Sequence, residues 1–215
     1  MTLADRRERE KEQRRESILK AAEKLFFSRG FDDVSVNDIA AEAEVNKALL
    51  YYYFEDKKSL YIAIVLRAVR TLKEMVQEIV VNSKTSVEEI YRLRTIFILF
   101  ASIYPNYHRV YCDFRSGRFG FNNEEAREDL KQITGLQKDI VEIACDVMKT
   151  GISEGVLSSN VTPLDSAVLT LTISEGMANM SPGLKQVLED HGATPIVYSQ
   201  ELSTLAYEML RGKRY

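Results

Sequence analysis

The apolar positions of the chain recur at helical spacing from end to end. They return every three or four residues, as on one face of an amphipathic helix, and no window sustains the strict alternation that is typical of strands. The pattern predicts an all-α protein. The first clear apolar stripe follows a mixed-charge arm, residues 1–16, whose start we expect to fray, and it consists of Ile18, Ala22, Leu25 and Phe26.

The first helix is predicted to end at Gly30. Glycine at the position after a helix takes the left-handed backbone conformation that other residues resist, and this conformation stops the helix. Phe31 then comes within reach of Phe26, and an apolar contact of this kind commonly accompanies such a stop.

Two short helices are predicted after this stop. Ser35 followed by Asp38 resembles a capping box, with Asp in place of the more usual Glu or Gln, and Asn46 marks a second start as an N-cap. The interval between these starts holds one helix of about two turns and a tight turn, so the segment predicts a helix-turn-helix. A third N-cap, Asp56, begins a long helix that connects this head to a second domain.

The second short helix has an unusual outward face. At about 100° per residue, Leu50 and Phe54 point into the head, whereas Ala48 and Tyr52 point away from it. An exposed face of small and aromatic residues is uncommon unless it meets another surface. The major groove is such a surface, because it offers phosphate oxygens to hydroxyl groups and thymine methyls to apolar groups.

The charge of the whole chain does not indicate a nucleic-acid partner. It holds 29 Lys and Arg against 32 Asp and Glu, a net charge of -3, so DNA binding depends on local patterning. Lys47 and Lys57 flank the tyrosine face and can neutralise phosphates. Arg14 and Arg15 lie ahead of the first apolar stripe and can reach the DNA backbone or minor groove.

Three segments together resemble the DNA-binding head of the TetR family of bacterial transcriptional regulators: ILKAAEKLFFSRGF, SVNDIAAEAEV and LLYYYFEDKKSL. The resemblance covers roughly residues 12–72. It implies an all-α homodimer with a DNA-binding domain over residues 1–58 and a helical effector-binding and dimerisation domain over residues 59–215. The residue pattern and the resemblance together predict DNA contacts from Arg14, Arg15, Ser35, Asn37, Lys47, Ala48, Leu49, Tyr51, Tyr52, Tyr53 and Lys57.

Two positions depart from the family pattern. Glu44 stands where the turn normally has glycine, and Ala48 stands where the recognition helix often has a second glycine. A left-handed Glu44 costs about 1–2 kcal/mol, unless the turn adopts another conformation. We therefore expect Glu44→Gly to leave the stability unchanged or to raise it.

The segment over residues 86–155 predicts three helices, broken near Tyr104-Pro105 and around residues 116–123. Its many aromatic residues are candidates to line an effector cavity, although aromatic residues at helical spacing more often pack a core. That a cavity exists at all is implied by the family resemblance. The candidate effector-binding residues are Phe97, Phe100, Tyr104, Tyr107, His108, Tyr111 and Phe114, for an apolar or aromatic effector.

The C-terminal part predicts a dimer interface. The helix after Pro163 is apolar or small nearly all round, which indicates burial on all sides, and a second helix follows Pro195. Two such helices from each of two copies would form a four-helix interface, while burial of both within one subunit is the alternative. The predicted interface residues are Val168, Leu171, Met177, Leu202, Leu205 and Met209.

The remaining composition excludes other classes. The two cysteines are far apart and lack histidine neighbours, so no metal site, disulfide scaffold or cofactor is expected, and a reducing cytoplasm fits. The N-terminus is charged and no apolar run is long enough to cross a bilayer. No paired histidines, glycine-rich phosphate loop or nucleophile elbow indicates an enzyme.

The sequence therefore predicts a ligand-responsive transcriptional regulator, and we expect it to act as a repressor. As a dimer it would bind a near-palindromic operator on double-stranded DNA, and a small-molecule effector would release it. The rival hypothesis is a helical protein-interaction module that uses the tyrosine face to bind another protein.

Overall fold

The computed structural model describes residues 3–117 and 127–193, together with Tyr198, Glu201, Leu202, Leu205 and Glu208. The predicted all-α class is confirmed, since no strand occurs among these residues. No helix within the same residues is both long and apolar enough to span a membrane. The helices are α1 (Leu3–Arg29), α2 (Val36–Glu42), α3 (Lys47–Tyr53), α4 (Lys57–Asn82), α5 (Ser86–Leu93), α6 (Ile96–Ile103), α7 (Pro105–Arg115), α8 (Arg127–Ser153), α9 (Pro163–Ala178) and α10 (Pro182–Asp190).

The chain divides into two compact units. The N-terminal unit comprises Met1–Ala68 and Arg109–Ile133, and the C-terminal unit comprises Val69–His108 and Thr134–Tyr215. Helices α4, α7 and α8 each contribute residues to both units. The predicted boundary after residue 58 separates a DNA-binding from an effector-binding domain, whereas these units are defined by their compactness. The boundary therefore stays a prediction.

An aromatic cluster forms the centre of the N-terminal unit. Gly30 has a φ of 84°, as expected for a left-handed stop, and its amide donates to the Phe26 carbonyl at 2.9 Å. The chain then reverses, so that the Phe31 ring lies 5.6 Å from the Phe26 ring and 5.1 Å from the Tyr61 ring. The predicted contact between Phe26 and Phe31 is therefore confirmed.

Ion pairs and backbone contacts join further helices to this cluster. The Arg67 guanidinium of α4 pairs with both Glu16 and Glu23 of α1. Arg109 of α7 donates from its guanidinium to the Phe27 carbonyl at 2.8 Å. The N-terminal unit thus includes residues of α7 that the sequence did not assign to the head.

Residues 86–117 and 127–155 hold four helices, one more than predicted for this segment. The break at Tyr104-Pro105 is confirmed, but α5 and α6 are separate helices that meet at Arg94 and Thr95. The side chain of Thr95 donates to the Arg92 carbonyl at 3.1 Å, and it makes no side-chain N-cap hydrogen bond to α6. No glycine or proline marks this break, so its sequence signal is weak. The other predicted break falls mostly in residues 118–126, which lie outside the described residues.

Close packing shapes this second unit. Helix α6 packs on α9, where the Phe97 amide donates to the buried Ser174 hydroxyl at 3.2 Å. Helix α8 approaches α5 at Gly151, where an added Cβ would lie 2.6 Å from the Cδ1 atom of Ile90. Both contacts join residues that are far apart in the sequence.

Candidate DNA-binding surface

The start of α2 is fixed by reciprocal hydrogen bonds. The Asp38 amide donates to the Ser35 hydroxyl oxygen at 3.2 Å, and the Ser35 amide donates to the Asp38 carboxylate at 2.8 Å. These are the two bonds of a capping box, so the predicted start is confirmed. The hydrogen bonds from Ser35 hold the pKa of Asp38 below its ordinary value. Ser35 and Asn37 are both exposed at this end of α2.

The turn between α2 and α3 contains a left-handed glutamate. Glu44 has a φ of 54°, and it is the sole residue other than glycine with a positive φ in the described part of the chain. The Glu44 amide donates to the Ala41 carbonyl and the Val45 amide to the Ala40 carbonyl, at 3.1 and 2.9 Å. This pair of bonds is a Schellman motif, which normally has glycine at the Glu44 position. The left-handed alternative for this turn is therefore the observed one.

Helix α3 has the predicted start and the predicted inward face. The Leu49 amide donates to the Asn46 side-chain oxygen at 2.8 Å, which confirms Asn46 as the N-cap. Leu50 is fully buried and Phe54 is 5% exposed. Burial of these two side chains fixes the rotation of the helix, and therefore also the direction of its opposite face.

The opposite face of α3 is open to solvent. Tyr52 is 69% exposed and Tyr51 is 46% exposed, while Ala48 is also exposed. Leu49 and Tyr53 are half-buried on the flanks, and the rings of Tyr52 and Tyr53 stack edge to face at 5.0 Å. A single chain therefore leaves a tyrosine-rich surface uncovered, as the helical wheel predicts.

Basic side chains lie around this surface. The Lys47 ammonium is exposed and sits 5.9 Å from the centre of the Tyr51 ring. Arg14 is exposed on α1, and the Arg15 guanidinium lies 5.0 Å from the centre of the Phe54 ring at the end of α3. Both arginines belong to the helix α1 itself, because α1 begins at Leu3. The expected frayed arm is therefore helical where the structure describes it.

Lys57 has a structural role that the sequence did not predict. Its ammonium donates to the carbonyls of Phe31 and Val34, at 2.8 and 2.9 Å, and lies 4.2 Å from the centre of the Phe31 ring. Two of its three donors thus hold the loop between α1 and α2 against the start of α4. Because these two donors are engaged within the head, one donor is left for a phosphate, and the predicted DNA contact of Lys57 stays a prediction.

The candidate effector-binding residues are not gathered in one unit. Tyr111 and Phe114 belong to the N-terminal unit and the other five to the C-terminal unit. Phe97 and Phe100 are buried, and the Phe100 ring lies about 6.1 Å from the rings of Tyr104 and His108. Tyr104 and Tyr107 lie at 6.2 Å from each other, with Tyr104 exposed and Tyr107 half-buried. Burial of Phe97 and Phe100 fits the alternative that aromatic residues at helical spacing pack a core, and the effector-binding role of the set stays a prediction.

The C-terminal unit does contain an open cavity of about 370 Å³ elsewhere. It lies between the end of α4, Glu89 of α5 and one side of α8. Burial and the neighbouring Glu154 raise the pKa of Glu89. None of the predicted effector-binding residues lines it, and its lining residues are Gln77, Val80, Val81, Glu89, Ile143, Asp146, Val147 and Thr150.

Helix α9 is buried on one face and exposed on the other in the single chain. Leu171 and Met177 are buried within their own subunit, so neither needs a second copy to cover it. Val168 is 47% exposed and Leu205 is 53% exposed. Leu202 is half-buried, and Met209 lies outside the described residues. The exposed apolar side chains that the sequence missed are Leu164 and Leu169.

Comparison with known proteins places this geometry in a family. The family model described as bacterial regulatory proteins of the tetR family matches residues 18–64. IcaR of Staphylococcus aureus strain Newman, the HTH-type negative transcriptional regulator of the biofilm operon icaADBC, is 30% identical over 128 residues. This alignment covers 59% of the present chain and 67% of IcaR.

Solved structures share the whole fold at lower identity. A transcriptional regulator of the TetR/AcrR family from Thermobifida fusca YX-ER1 has a TM-score of 0.68 at 19% identity, over 94% of this chain and 99% of that one. AibR in complex with isovaleryl coenzyme A and operator DNA has a TM-score of 0.63 at 19% identity, over 89% and 97% of the two chains. With its capped helix-turn-helix, its exposed α3 face and these relatives, the chain belongs to the tetR family of bacterial regulatory proteins and is a DNA-binding transcriptional regulator.

Proposed function

We propose that this regulator is a repressor that binds a near-palindromic operator as a homodimer and releases it when a small molecule binds. The observation that carries the proposal is the exposed face of α3, on which Tyr52 is 69% exposed while Leu50 on the opposite face is buried. IcaR is a negative regulator, and its relationship to this chain supports repression rather than activation. Since operators lie on the chromosome, we assign the protein to the cytoplasm.

Helix α3 is the proposed recognition helix. Ala48, Leu49 and Tyr52 are the residues we expect at base edges, because their apolar groups suit thymine methyls. The hydroxyl groups of Tyr51 and Tyr53 suit phosphate oxygens, which position a protein on DNA without reading sequence. No arginine or asparagine faces outward from α3 to form a bidentate base contact, so DNA shape is expected to contribute to specificity.

The phosphate contacts come from groups around α3. Lys47 and Arg14 are exposed and available, and the exposed Ser35 and Asn37 at the start of α2 add polar donors. Arg15 and Lys57 play a supporting part in this proposal, because they lie over Phe54 and Phe31. Affinity should therefore depend on salt, and most strongly through Lys47 and Arg14.

The dimer contact is proposed on the exposed side of α9. Leu164, Val168 and Leu169 form an apolar surface there that water covers in the single chain. A two-fold axis would bring this surface against its copy, and the exposed Leu205 is a further candidate for the contact. Two recognition helices can then enter successive major grooves, which are about 34 Å apart.

An effector would act by preferring one spacing of the two recognition helices. A ligand shifts a conformational equilibrium only as far as its affinities for the two states differ. We place its site in the helical C-terminal domain and expect an apolar or aromatic compound, whose identity stays open. Of the predicted effector-binding residues that belong to the C-terminal unit, Tyr104, Tyr107 and His108 are at least partly exposed.

A selection from random duplex DNA tests the proposal. The purified full chain should enrich a sequence with two-fold symmetric half-sites, and native mass spectrometry should find two chains on each duplex. Lys47→Ala should weaken binding and reduce its salt dependence, whereas Lys149→Ala, a change of equal charge at an exposed site of α8, should do neither. Failure to enrich any sequence at low salt would favour the protein-interaction alternative.

A further inference from the structure

The N-terminal part of α1 is a helical extension beyond the core of the head. Helix α1 starts at Leu3, but its first buried residue is Ile18, so about four turns precede the core. Every side chain described from Asp5 to Arg14 is exposed. A solvated extension of this length gains little from burial, and its surface is therefore free to serve binding.

Three basic residues form a stripe along this extension. Arg7, Lys11 and Arg14 are spaced by four and three residues, which places them within about 60° of one another on the helix. All three are exposed, and none forms an ion pair with another described residue. We call these three residues the basic stripe.

The acidic residues of the extension lie on other faces. Asp5, Glu8, Glu12 and Glu16 are all about 90° or more from the centre of the basic stripe. Glu10 lies nearer, but its carboxylate accepts from the Arg6 guanidinium at 2.9 Å. The α1 sequence thus mixes charges of both signs, but they separate on its surface.

The basic stripe lies on the same side of α1 as the residues that face the interior of the head. By helical rotation it is in register with Ile18 and Leu25, the buried residues through which α1 faces the interior of the head. Arg15 lies within about 80° of the stripe centre, and its guanidinium sits over Phe54 at the end of α3. The stripe therefore continues, beyond the edge of the head, the inward side of α1, next to the arginine that reaches the end of the recognition helix.

We propose that the basic stripe of Arg7, Lys11 and Arg14 is a second DNA-contacting surface, which binds phosphates outside the half-site read by α3. The inference rests on the proposed function and extends it by Arg7 and Lys11. The stripe spans about 10 Å at 1.5 Å per residue, and one DNA strand carries a phosphate every 3.4 Å or so along the axis. Three cations on one face thus match about three phosphates of one strand.

The contact makes a quantitative prediction about salt. Each phosphate neutralised adds about 0.9 to the slope of log affinity against log salt. Three contacts in each of two subunits would account for about 5 of that slope. Because the stripe is proposed to bind phosphates and not base edges, its loss should weaken all duplex sequences alike and leave the preferred sequence unchanged.

The test compares two triple variants of the full chain. Arg7→Gln, Lys11→Gln and Arg14→Gln together remove the basic stripe, and glutamine keeps a good helix propensity. The matched control removes Arg6, Arg9 and Lys20 in the same way, three exposed cations of α1 that lie more than about 100° from the centre of the stripe. Fluorescence anisotropy against the selected operator then gives the salt slope of each.

The stripe variant should lose about 5 of the slope and bind roughly tenfold or more weakly at low salt, with hydroxyl-radical protection lost at the outer edges of the footprint. The control should keep the slope and footprint of the unmodified chain. Equal slopes for both triples would overturn the inference and leave the proposed function intact. An unmodified chain that binds no duplex would instead overturn the proposed function itself.

Discussion

The two units of this regulator differ in how fully residues close in sequence account for their helix boundaries. In the N-terminal unit, helix ends depend on neighbours in sequence: the box of Ser35 and Asp38, the Asn46 cap and the left-handed Gly30. In the C-terminal unit, Thr85, Thr162 and Ser181 cap α5, α9 and α10 in the same local way, but the junction of α5 and α6 has no side-chain cap. The comparison teaches that a local cap makes a helix start predictable in either unit, whereas the start of α6 and the contact of Phe97 with the distant Ser174 depend on packing that no neighbouring residue signals.

The largest expected effect tests burial in the head. Leu50→Ala removes a fully buried side chain from α3 and should lower the free energy of unfolding by about 2–5 kcal/mol. Tyr52→Ala, on the opposite face of the same helix, should change it by no more than about 0.5 kcal/mol. Urea denaturation at one fixed protein concentration checks both. Equal losses would mean that α3 is not oriented as described.

The next prediction concerns close packing in the C-terminal unit. Gly151→Ala should destabilise by about 1–3 kcal/mol, because the new Cβ meets the Ile90 Cδ1 atom at 2.6 Å. Gly135→Ala, in the same helix with no atom within 4 Å of the new Cβ, should stabilise by about 0.5–1 kcal/mol.

A rescue variant makes this test specific. Ile90→Val deletes the atom that Gly151→Ala would meet, so the double variant should be more stable than the sum of the two single effects predicts. Additive effects in the thermal unfolding of the four proteins would show that α5 and α8 are not in contact at this point.

A smaller effect is expected at the turn of the helix-turn-helix. Glu44→Gly should raise the free energy of unfolding by about 1 kcal/mol, because glycine takes a φ of 54° without the steric cost that glutamate bears. Gly30→Ala is the converse substitution at a φ of 84° and should lower it by about 1–2 kcal/mol. A loss above about 1 kcal/mol for Glu44→Gly would contradict the turn geometry.

The smallest effect is a dependence on pH in the C-terminal unit. Burial lowers the pKa of His108, and the positive charge of Lys185 lowers it further. As the pH falls below the ordinary histidine pKa of about 6.5, the unfolded chain binds the proton before the folded chain does. The free energy of unfolding therefore decreases as the pH falls from this value to the lower pKa of the folded chain. His108→Gln should flatten the fall in thermal midpoint between about pH 7 and 5. A slope as steep as that of the unmodified chain would exclude His108 as its source.

The features predictable from the sequence were those with a local cause. Asn46, Gly30 and the rotation of α3 could be read from neighbouring residues, because caps and short helical periods act over three or four positions. The break at Thr95 could not be, since no glycine or proline marks it. The bonds from Lys57 to Phe31 and Val34 also escaped prediction, because they join positions 23 or more apart.

The helical extension of α1 shows a different limit. Its charged residues suggested a frayed arm, but Arg6 and Glu10 pair at one-turn spacing and support a helix. The predicted effector-binding set, which stays a prediction, shows a further limit: Phe97 and Phe100 are residue types that suit a cavity lining, and both are buried as core residues are. Composition alone does not separate these two roles.

The most direct test of the central claim is the operator affinity of two tyrosine variants. Tyr52→Ala removes an exposed ring from α3. Tyr91→Ala removes a ring that is 48% exposed on α5, outside the proposed DNA-binding surface. If the outward face of α3 reads DNA, Tyr52→Ala should bind the selected operator about tenfold or more weakly, equivalent to about 1.4 kcal/mol. Tyr91→Ala should bind as the unmodified chain does. Equal affinities for the two folded variants would contradict the assignment of α3 as the recognition helix.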